Sequence, residues 1–292
     1  MILATISPAI LGNYRSNGNR KYGAVRLIAA GATAGAVLVA MGGCSYGASH
    51  GAKAISPATR RAIKQVRLAA DTSGHVSSLT ASLAVRSVGR GGGDMSGTIA
   101  MQMKPAALIE ARFVYPSAHG KDIHLSEILT NKAIYFKEPS FSQRKPWAKV
   151  EISQLSGNVG LTIGSLVQNL ESSNPLDQTR MFTASKDVRE VGTETVRGVP
   201  TTEYAGTYAP SAAYASLTPR LRQLIGLMLR AIGTHQVRFH VWIDAQHLIK
   251  MADYVVNVRG RTVTTTFVVT SVNQPVHVKL PKPSQTAPLL HM

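Results

Sequence analysis

Met95-Ser-Gly-Thr-Ile-Ala-Met-Gln-Met-Lys104 is the stretch on which the fold turns. Met95, Gly97, Ile99, Met101 and Met103 alternate with Ser96, Thr98, Ala100 and Gln102. A period of two sends these sets to opposite sides of one β-strand, so one side is dry and the other wet. Val76–Arg86 precedes it across Gly89-Arg90-Gly91-Gly92-Gly93, a turn that makes the pair a hairpin. A sheet with one dry face must bury that face under another layer, and the search for the layer organises the rest of the chain.

Strand patterns continue on both sides. Leu108–Tyr115 and Ile134–Lys137 extend the meander, with Asn131-Lys132 as a tight turn after Ile128-Leu129. Val188–Val191 and Thr201–Tyr208 flank an Arg197-Gly198 turn, and Gln236–Ile243, His247–Val258 and Arg261–Val272 form three long strands. The covering elements are helical. Ser56-Pro57 supplies a hydroxyl cap and a first-turn proline for a helix running to Asp71, with Ile63, Val66 and Ala70 on one side and Arg60, Lys64 and Arg67 on the other. Leu161–Leu170 and Leu176–Ala184 read as helices broken by Asn174-Pro175. Thr218-Pro219 opens another, in which Leu221, Leu224, Ile225, Met228 and Ile232 share an apolar face closed by Gly233. The expected class is α+β: a curved antiparallel half-barrel of about ten strands, its concave face covered by helices. It occupies residues 56–272 as a single domain, and residues 273–292, with Pro275, Pro281, Pro283 and Pro288, form an extended tail.

The front of the chain carries an address. Arg15, Arg20, Lys21 and Arg26, with no acidic residue among them, lead into an apolar run from Leu27 to Met41 that ends in Gly42-Gly43-Cys44. That run is shorter than the roughly 20 residues a spanning helix needs and lacks a stop-transfer cluster, so residues 1–43 read as a cleaved signal peptide. The sequence before Cys44 resembles bacterial lipoprotein signals, which implies that Cys44 is diacylated and becomes the mature N-terminus. Residues 44–55 then act as a flexible tether. Two acyl chains give stable anchoring where one is marginal, so the expected location is the cell membrane, lipid-anchored and facing outside the cytoplasm.

Composition narrows the function classes. The 292 residues are 44% hydrophobic, which excludes a disordered chain, and the single cysteine excludes a disulfide framework or a cysteine-based zinc cluster. Lys+Arg 32 against Asp+Glu 15 gives +17; the leader removes four bases and no acid, so the mature chain still carries +13. Nucleic acid is not the expected partner, because no reader motif or basic cluster interleaved with aromatics is present. A basic surface facing an anionic membrane or envelope polymer fits better, with each base adding roughly 1 kcal/mol of attraction.

Catalytic constellations are missing. Gly164-Ser165-Leu166 lacks the glycines of a nucleophile elbow, Gly120-Lys121-Asp122 is not a phosphate loop, and Asp94 occupies the last glycine position of a dinucleotide fingerprint. His75, His119, His124, His235, His240, His247 and His277 stand singly, and His119 and His124 have the wrong spacing for a metal pair on one helix. Asp122, Glu127, Asp187, Glu190, Glu194 and Asp244 are placed in turns or strand ends, and Glu110 and Asp253 on wet strand faces, so no acid/base pair is forced. No enzyme activity, catalytic residue, cofactor or metal is expected.

Three stretches carry a family likeness: Lys145-Pro146-Trp147-Ala148-Lys149-Val150, Gly192-Thr-Glu-Thr-Val-Arg-Gly-Val-Pro-Thr-Thr-Glu-Tyr204, and Val241-Trp242-Ile243-Asp244 through Lys250-Met251. They resemble actinobacterial LolA-like lipoproteins, near the mycobacterial LppX and LprG group, over about residues 55–280. The resemblance implies an antiparallel half-barrel with helices across its concave face, enclosing an apolar cavity for acyl chains. It carries over no individual ligand residue.

Two functions follow. One is a binder or carrier of a lipid or other hydrophobic small molecule; the other is a non-catalytic sensor or interaction lipoprotein whose partner is a membrane protein. The chain is expected to be a monomer. The candidate cavity lining, read from alternating dry stripes and from one helix face, is Met101, Met103, Phe113, Phe136, Leu224, Met228, Phe239 and Phe267. Methionines adapt to varied apolar partners but also fill ordinary cores, so they suit either role. Trp147 and Trp242 are expected as largely buried, stabilising side chains. The address has its own test: Cys44→Ser leaves no thiol to acylate, and the variant should lose both palmitate labelling and partition into the detergent phase.

Overall fold

Ser56 starts the first helix as its residue type requires. Its Oγ accepts the Thr59 N–H at 3.1 Å, Pro57 takes the first helical position, and α1 runs over Pro57–Ser73, two residues beyond Asp71. Ala62, Val66, Ala69 and Ala70 are buried, while Arg60, Arg61, Lys64 and Arg67 face solvent, so the helix has one covering side and one basic side. The computed structural model describes residues 55–89, 93–104, 106–116, 120–138, 145–154, 175–217, 222, 234–258 and 260–288. Cys44, the leader and nearly all of the tether, the expected helix over Leu161–Leu170, and Leu224 and Met228 of the expected helix after Thr218-Pro219 lie outside the described residues.

The sheet is built from β1 (Ser78–Val88), β2 (Asp94–Gln102), β3 (Leu108–Tyr115), β4 (Ile123–Thr130), β5 (Ala133–Lys137), β6 (Trp147–Glu151), β7 (Arg189–Val196), β8 (Val199–Tyr208), β9 (Val237–Asp244), β10 (Ile249–Val258), β11 (Arg261–Val272) and β12 (Thr286–Pro288). Their order is β12-β6-β5-β4-β3-β2-β1-β11-β10-β9-β8-β7, a single open, curved half-barrel of twelve strands rather than about ten. Every neighbouring pair is antiparallel except β12 with β6. The fold is thus an α+β half-barrel with helices on its inner side.

Local chemistry explains the joints. Arg197 and Gly198 both have positive φ, 49° and 82°, which closes the two-residue β7–β8 turn in the hand that matches strand twist. Leu176–Ala184, expected as α-helix, is wound more tightly as a 3₁₀ segment over Pro175–Ala184, and within it Thr183 Oγ1 donates to the Arg180 carbonyl at 2.7 Å. A short helix, α2 (Pro210–Ser216), was not legible because seven residues are too few to display a periodic stripe. The proline-rich end is extended, but it is not free: Thr286, Ala287 and Pro288 run alongside Trp147, Ala148 and Lys149. A proline is tolerated there because the outermost strand has a side that needs no N–H donor, and the added strand covers the β6 edge.

Two apolar clusters lie on the inner side. The first joins β1 to β6 through Leu79, Leu83, Ile99, Met101, Ile109, Phe113, Leu129 and Phe136, among others. The second brings Ala62, Val66 and Ala69 of α1, with Met181, Phe182 and Leu217, onto Tyr204, Tyr208, Val237, Phe239 and Val241. Trp242 is 6% exposed on the outer side, and its Nε1 donates to Glu194 at 2.9 Å. Trp147 is partly buried, beside the outer strand β12, with the Lys137 ammonium 5.9 Å from its ring centroid.

Gly97 marks the tightest strand approach. A Cβ at this position would stand 2.4 Å from the Arg112 carbonyl oxygen and 2.6 Å from Phe113 Cδ1, whereas one at Gly192 would meet nothing within 4 Å. Gly97→Ala should therefore lower stability by about 1–3 kcal/mol in a denaturant titration. Gly192→Ala should stay within about 0.5 kcal/mol of the parent.

Candidate functional site

Strand register assembles the inner face into rows. Leu125, Phe113, Gly97, Leu83, Phe267, Ala252, Val241 and Tyr204 oppose one another in turn from β4 to β8. A second row on the same face, four residues along β3 and β4 from the first, holds Val150, Ile134, Leu129, Ile109, Met101 and Leu79. The alternation read at Met95–Lys104 thus extends across the sheet, because each antiparallel rung keeps side chains of one parity on one side.

The sequence-derived lining residues divide between the two clusters. Met101, Met103, Phe113 and Phe136 are buried together in the first, and Phe267 packs against them, half-buried, from the seam with β1. Phe239 sits apart in the second cluster, fully buried. Its ring stacks on Phe182 with centroids 4.5 Å apart, while Tyr208 and Tyr254 approach this pair at 6.0 and 5.3 Å. The protein's own rings therefore occupy the surface of Phe239. Phe182 escaped the sequence reading; its only signal is Met181-Phe182 in an otherwise polar segment.

One residue departs from the apolar pattern. Glu127, placed by its sequence surroundings in a turn or strand end, lies mid-strand in β4 and is 1% exposed. It faces inward between Leu125 and Leu129, opposite Ala111 on β3 and Phe136 on β5. Burial raises its carboxyl to about 8. Burial also pushes the Tyr115 phenol up, with a further contribution from Glu127. A Leu-x-Glu-x-Leu spacing inside a strand pattern is the signal that could have located it.

Several other polar groups pair within the fold. Burial opposes ionisation of Asp187, but hydrogen bonds from the Thr207 hydroxyl and N–H and from Ser185 outweigh it and lower the carboxyl. On the outer side His240 contacts Glu203 and stacks against Trp242 at 6.0 Å. Asp253, expected on a wet face, has one buried carboxylate oxygen without a hydrogen bond. Among the described residues no group of three His, Cys, Asp or Glu side chains converges to hold a metal. No described helix is long and apolar enough to cross a membrane.

No family model matches the chain. Among curated proteins it is similar to an uncharacterized 31.2 kDa protein of Streptomyces griseus, 27% identical over 135 residues; the match takes in 40% of this chain and 43% of that relative, so less than half of the relative's length is spanned. Among solved structures it is similar to the lipoprotein LppX of Mycobacterium tuberculosis, at 16% identity and a TM-score of 0.44, over 75% of this chain and 99% of that one. It is similar to LprF of Mycobacterium bovis at 10% identity and a TM-score of 0.45, over 76% and 97%. A LolA superfamily protein of Nitrosomonas europaea matches at 8% identity and a TM-score of 0.26, over 77% and 97%. These neighbours bear the names of the group that the sequence resembles.

Glu127 makes stability depend on pH with a definite sign. Its folded value of about 8 lies above the ordinary carboxylate range, so the folded chain binds more protons than the unfolded chain at intermediate pH. Stability should fall as pH rises from about 4.3, the ordinary glutamate value, to about 8. Asp187, with its lowered carboxyl, acts in the opposite sense and at lower pH. Chemical denaturation of wild type and Glu127→Gln across pH 5–8.5 isolates the contribution: the difference between the two should grow with pH, and parallel curves would contradict it.

Proposed function

We propose that this chain is a non-catalytic, lipid-anchored binder or carrier that takes acyl chains onto the inner face of its half-barrel. The observation that carries the reading is the continuity of that face. Apolar side chains run rung by rung from β6 to β8, and three methionines, Met95, Met101 and Met103, belong to or pack against the first cluster. Hydrocarbon is attracted to such a surface in proportion to the area removed from water, and methionine accommodates chains of differing shape. The half built on β1–β6 is the proposed acyl-chain side, with Met101, Met103, Phe113, Phe136 and Phe267 in contact with ligand. Leu224 and Met228 are proposed to complete the lining.

In this reading Cys44 carries the acyl anchor, and the mature protein faces outside the cytoplasm at the cell membrane as a monomer. Its excess of basic groups draws it toward anionic lipid. The second reading, a sensor or interaction lipoprotein that contacts a membrane protein, draws support from the other half of the face. There the stacking of Phe182 on Phe239 uses the surface within the protein.

Met101→Trp separates the two. Met101 is 6% exposed in the first cluster, and an indole there takes up space that an acyl chain needs. The variant should remain folded by circular dichroism and bind a fluorescent fatty-acyl probe about tenfold or more weaker, the equivalent of one step of about 1.4 kcal/mol. Unchanged uptake, or no uptake by wild type, would favour the sensor reading.

A further inference from the structure

The solvent side of α1 carries Arg60, Arg61, Lys64 and Arg67, all exposed. No acid balances them. From Cys44 to Ala70 the sequence contains no Asp or Glu, and the first acid, Asp71, accepts from Arg180 Nη1 at 2.7 Å. Among the described residues none of the four bases enters an ion pair. Lys64 stands four residues from Arg60 and three from Arg61 and Arg67, spacings at which like charges repel along a helix surface. Arg60 and Arg61 also follow directly on the first turn, which holds no acid, at the end where the helix dipole already presents positive charge. Such a stripe weakens its own helix unless anions meet it from outside. Leu68 on the same side, and Ile55 just before the helix, are exposed apolar side chains.

We infer that this face of α1 is the surface by which the domain rests on an anionic lipid bilayer, with Leu68 and Ile55 entering the head-group layer beside the bases. The inference deepens the lipid-anchored reading above and rests on it for its geometry. A chain acylated at Cys44 has only residues 44–55 before the Ser56 cap, a length that spans at most about 40 Å when fully extended. The first covering helix is thus held close to the bilayer, and tethering turns a weak attraction into an intramolecular one. The charges are complementary: guanidinium groups pair bidentately with phosphate, and the attraction of each base to an anionic leaflet accumulates along the stripe. Orientation follows from packing. Ala62, Val66 and Ala69, on the opposite side of α1, are buried in the second cluster on the inner side of the sheet, so the basic side faces away from the sheet on that same inner side. A domain seated on it turns the concave side of the half-barrel, where acyl chains are proposed to bind, toward the bilayer.

The test uses the full chain purified from membranes, with an environment-sensitive fluorophore on Leu68→Cys or, on the outer side of the sheet, on Thr98→Cys; acylation of Cys44 leaves no other free thiol. Each is bound to vesicles of phosphatidylcholine, or of phosphatidylcholine and phosphatidylglycerol in equal parts, both doped with nitroxide-labelled phosphatidylcholine as quencher. Quenching at Leu68→Cys should be at least about threefold stronger on the anionic vesicles, and the excess should disappear near about 1 M salt, where the Debye length is about 3 Å. Thr98→Cys should not distinguish the vesicles. Arg60→Gln, Arg61→Gln, Lys64→Gln and Arg67→Gln combined should abolish the excess, while uptake of a fluorescent acyl probe in detergent stays within about twofold of wild type, as for other exposed positions. Equal quenching at Leu68→Cys on the two vesicles, or matching quenching at Thr98→Cys, overturns the inference; an acidic protein or polymer as the true occupant would give that result. A chain that fails to float with the neutral vesicles overturns the lipid anchor instead, and salt-sensitive quenching at Leu68→Cys on the anionic vesicles still decides the inference. Should circular dichroism show the fourfold variant unfolded, Lys64→Gln with Arg67→Gln takes its place, and an undiminished excess there overturns the inference.

Discussion

The antiparallel pairing of β1 with β11 is the constraint on which the other features depend. Ser78–Val88 and Arg261–Val272 meet across almost the whole length of the domain, with Leu83 opposite Phe267 and one bulge between Thr80 and Ala81. This seam splices a sequential meander, β1 to β6, onto a second run of strands, β7 to β11. It is locked at one end by Asn273, which has a left-handed φ of 55°; its N–H donates to the Ser78 carbonyl at 2.8 Å and its Oδ1 accepts the Ser77 N–H at 2.9 Å. A one-residue slip along this seam would turn one half's apolar residues outward, because side chains alternate with a period of two.

Joined at that seam, the two halves share an inner face but treat it differently. On the second half the protein fills the face itself, with α1, the 3₁₀ segment and the rings of Phe182, Tyr208 and Tyr254 packed around Phe239. On the first half the face combines adaptable methionines with Phe113 and Phe136 and keeps one acid, Glu127, in its middle. Burial holds that carboxyl above its ordinary range, so the fold loses stability as pH rises toward about 8. Both clusters are buried, and the proposed function assigns acyl chains to the first half and domain stabilisation to the second.

Much of this was legible from local sequence chemistry. Ser56-Pro57 located α1 because a hydroxyl cap followed by proline specifies a helix start, and Met95–Lys104 gave the face of β2 because alternation has one structural meaning. Met101, Met103, Phe113 and Phe136 could be grouped for the same reason. What stayed illegible depends on distant partners. Glu127 looked like a strand-end residue until the pairing of β4 with β3 and β5 put Ala111 and Phe136 beside it. Phe182 gave little sign of its role because only the fold brings it to Phe239. The last strand, β12, has no alternating pattern within three residues and is defined by the edge it covers.

Native mass spectrometry of the Cys44→Ser chain, expressed in a cell that makes its own lipids and released gently from solution, tests the central claim most directly. With the anchor removed, any hydrophobic molecule that remains must occupy the fold itself. Acyl binding on the inner face requires a second, lipid-sized mass that stays with the folded protein and leaves on collisional activation. A folded protein observed at its bare mass, which also fails to take up added acyl lipid, would contradict the account.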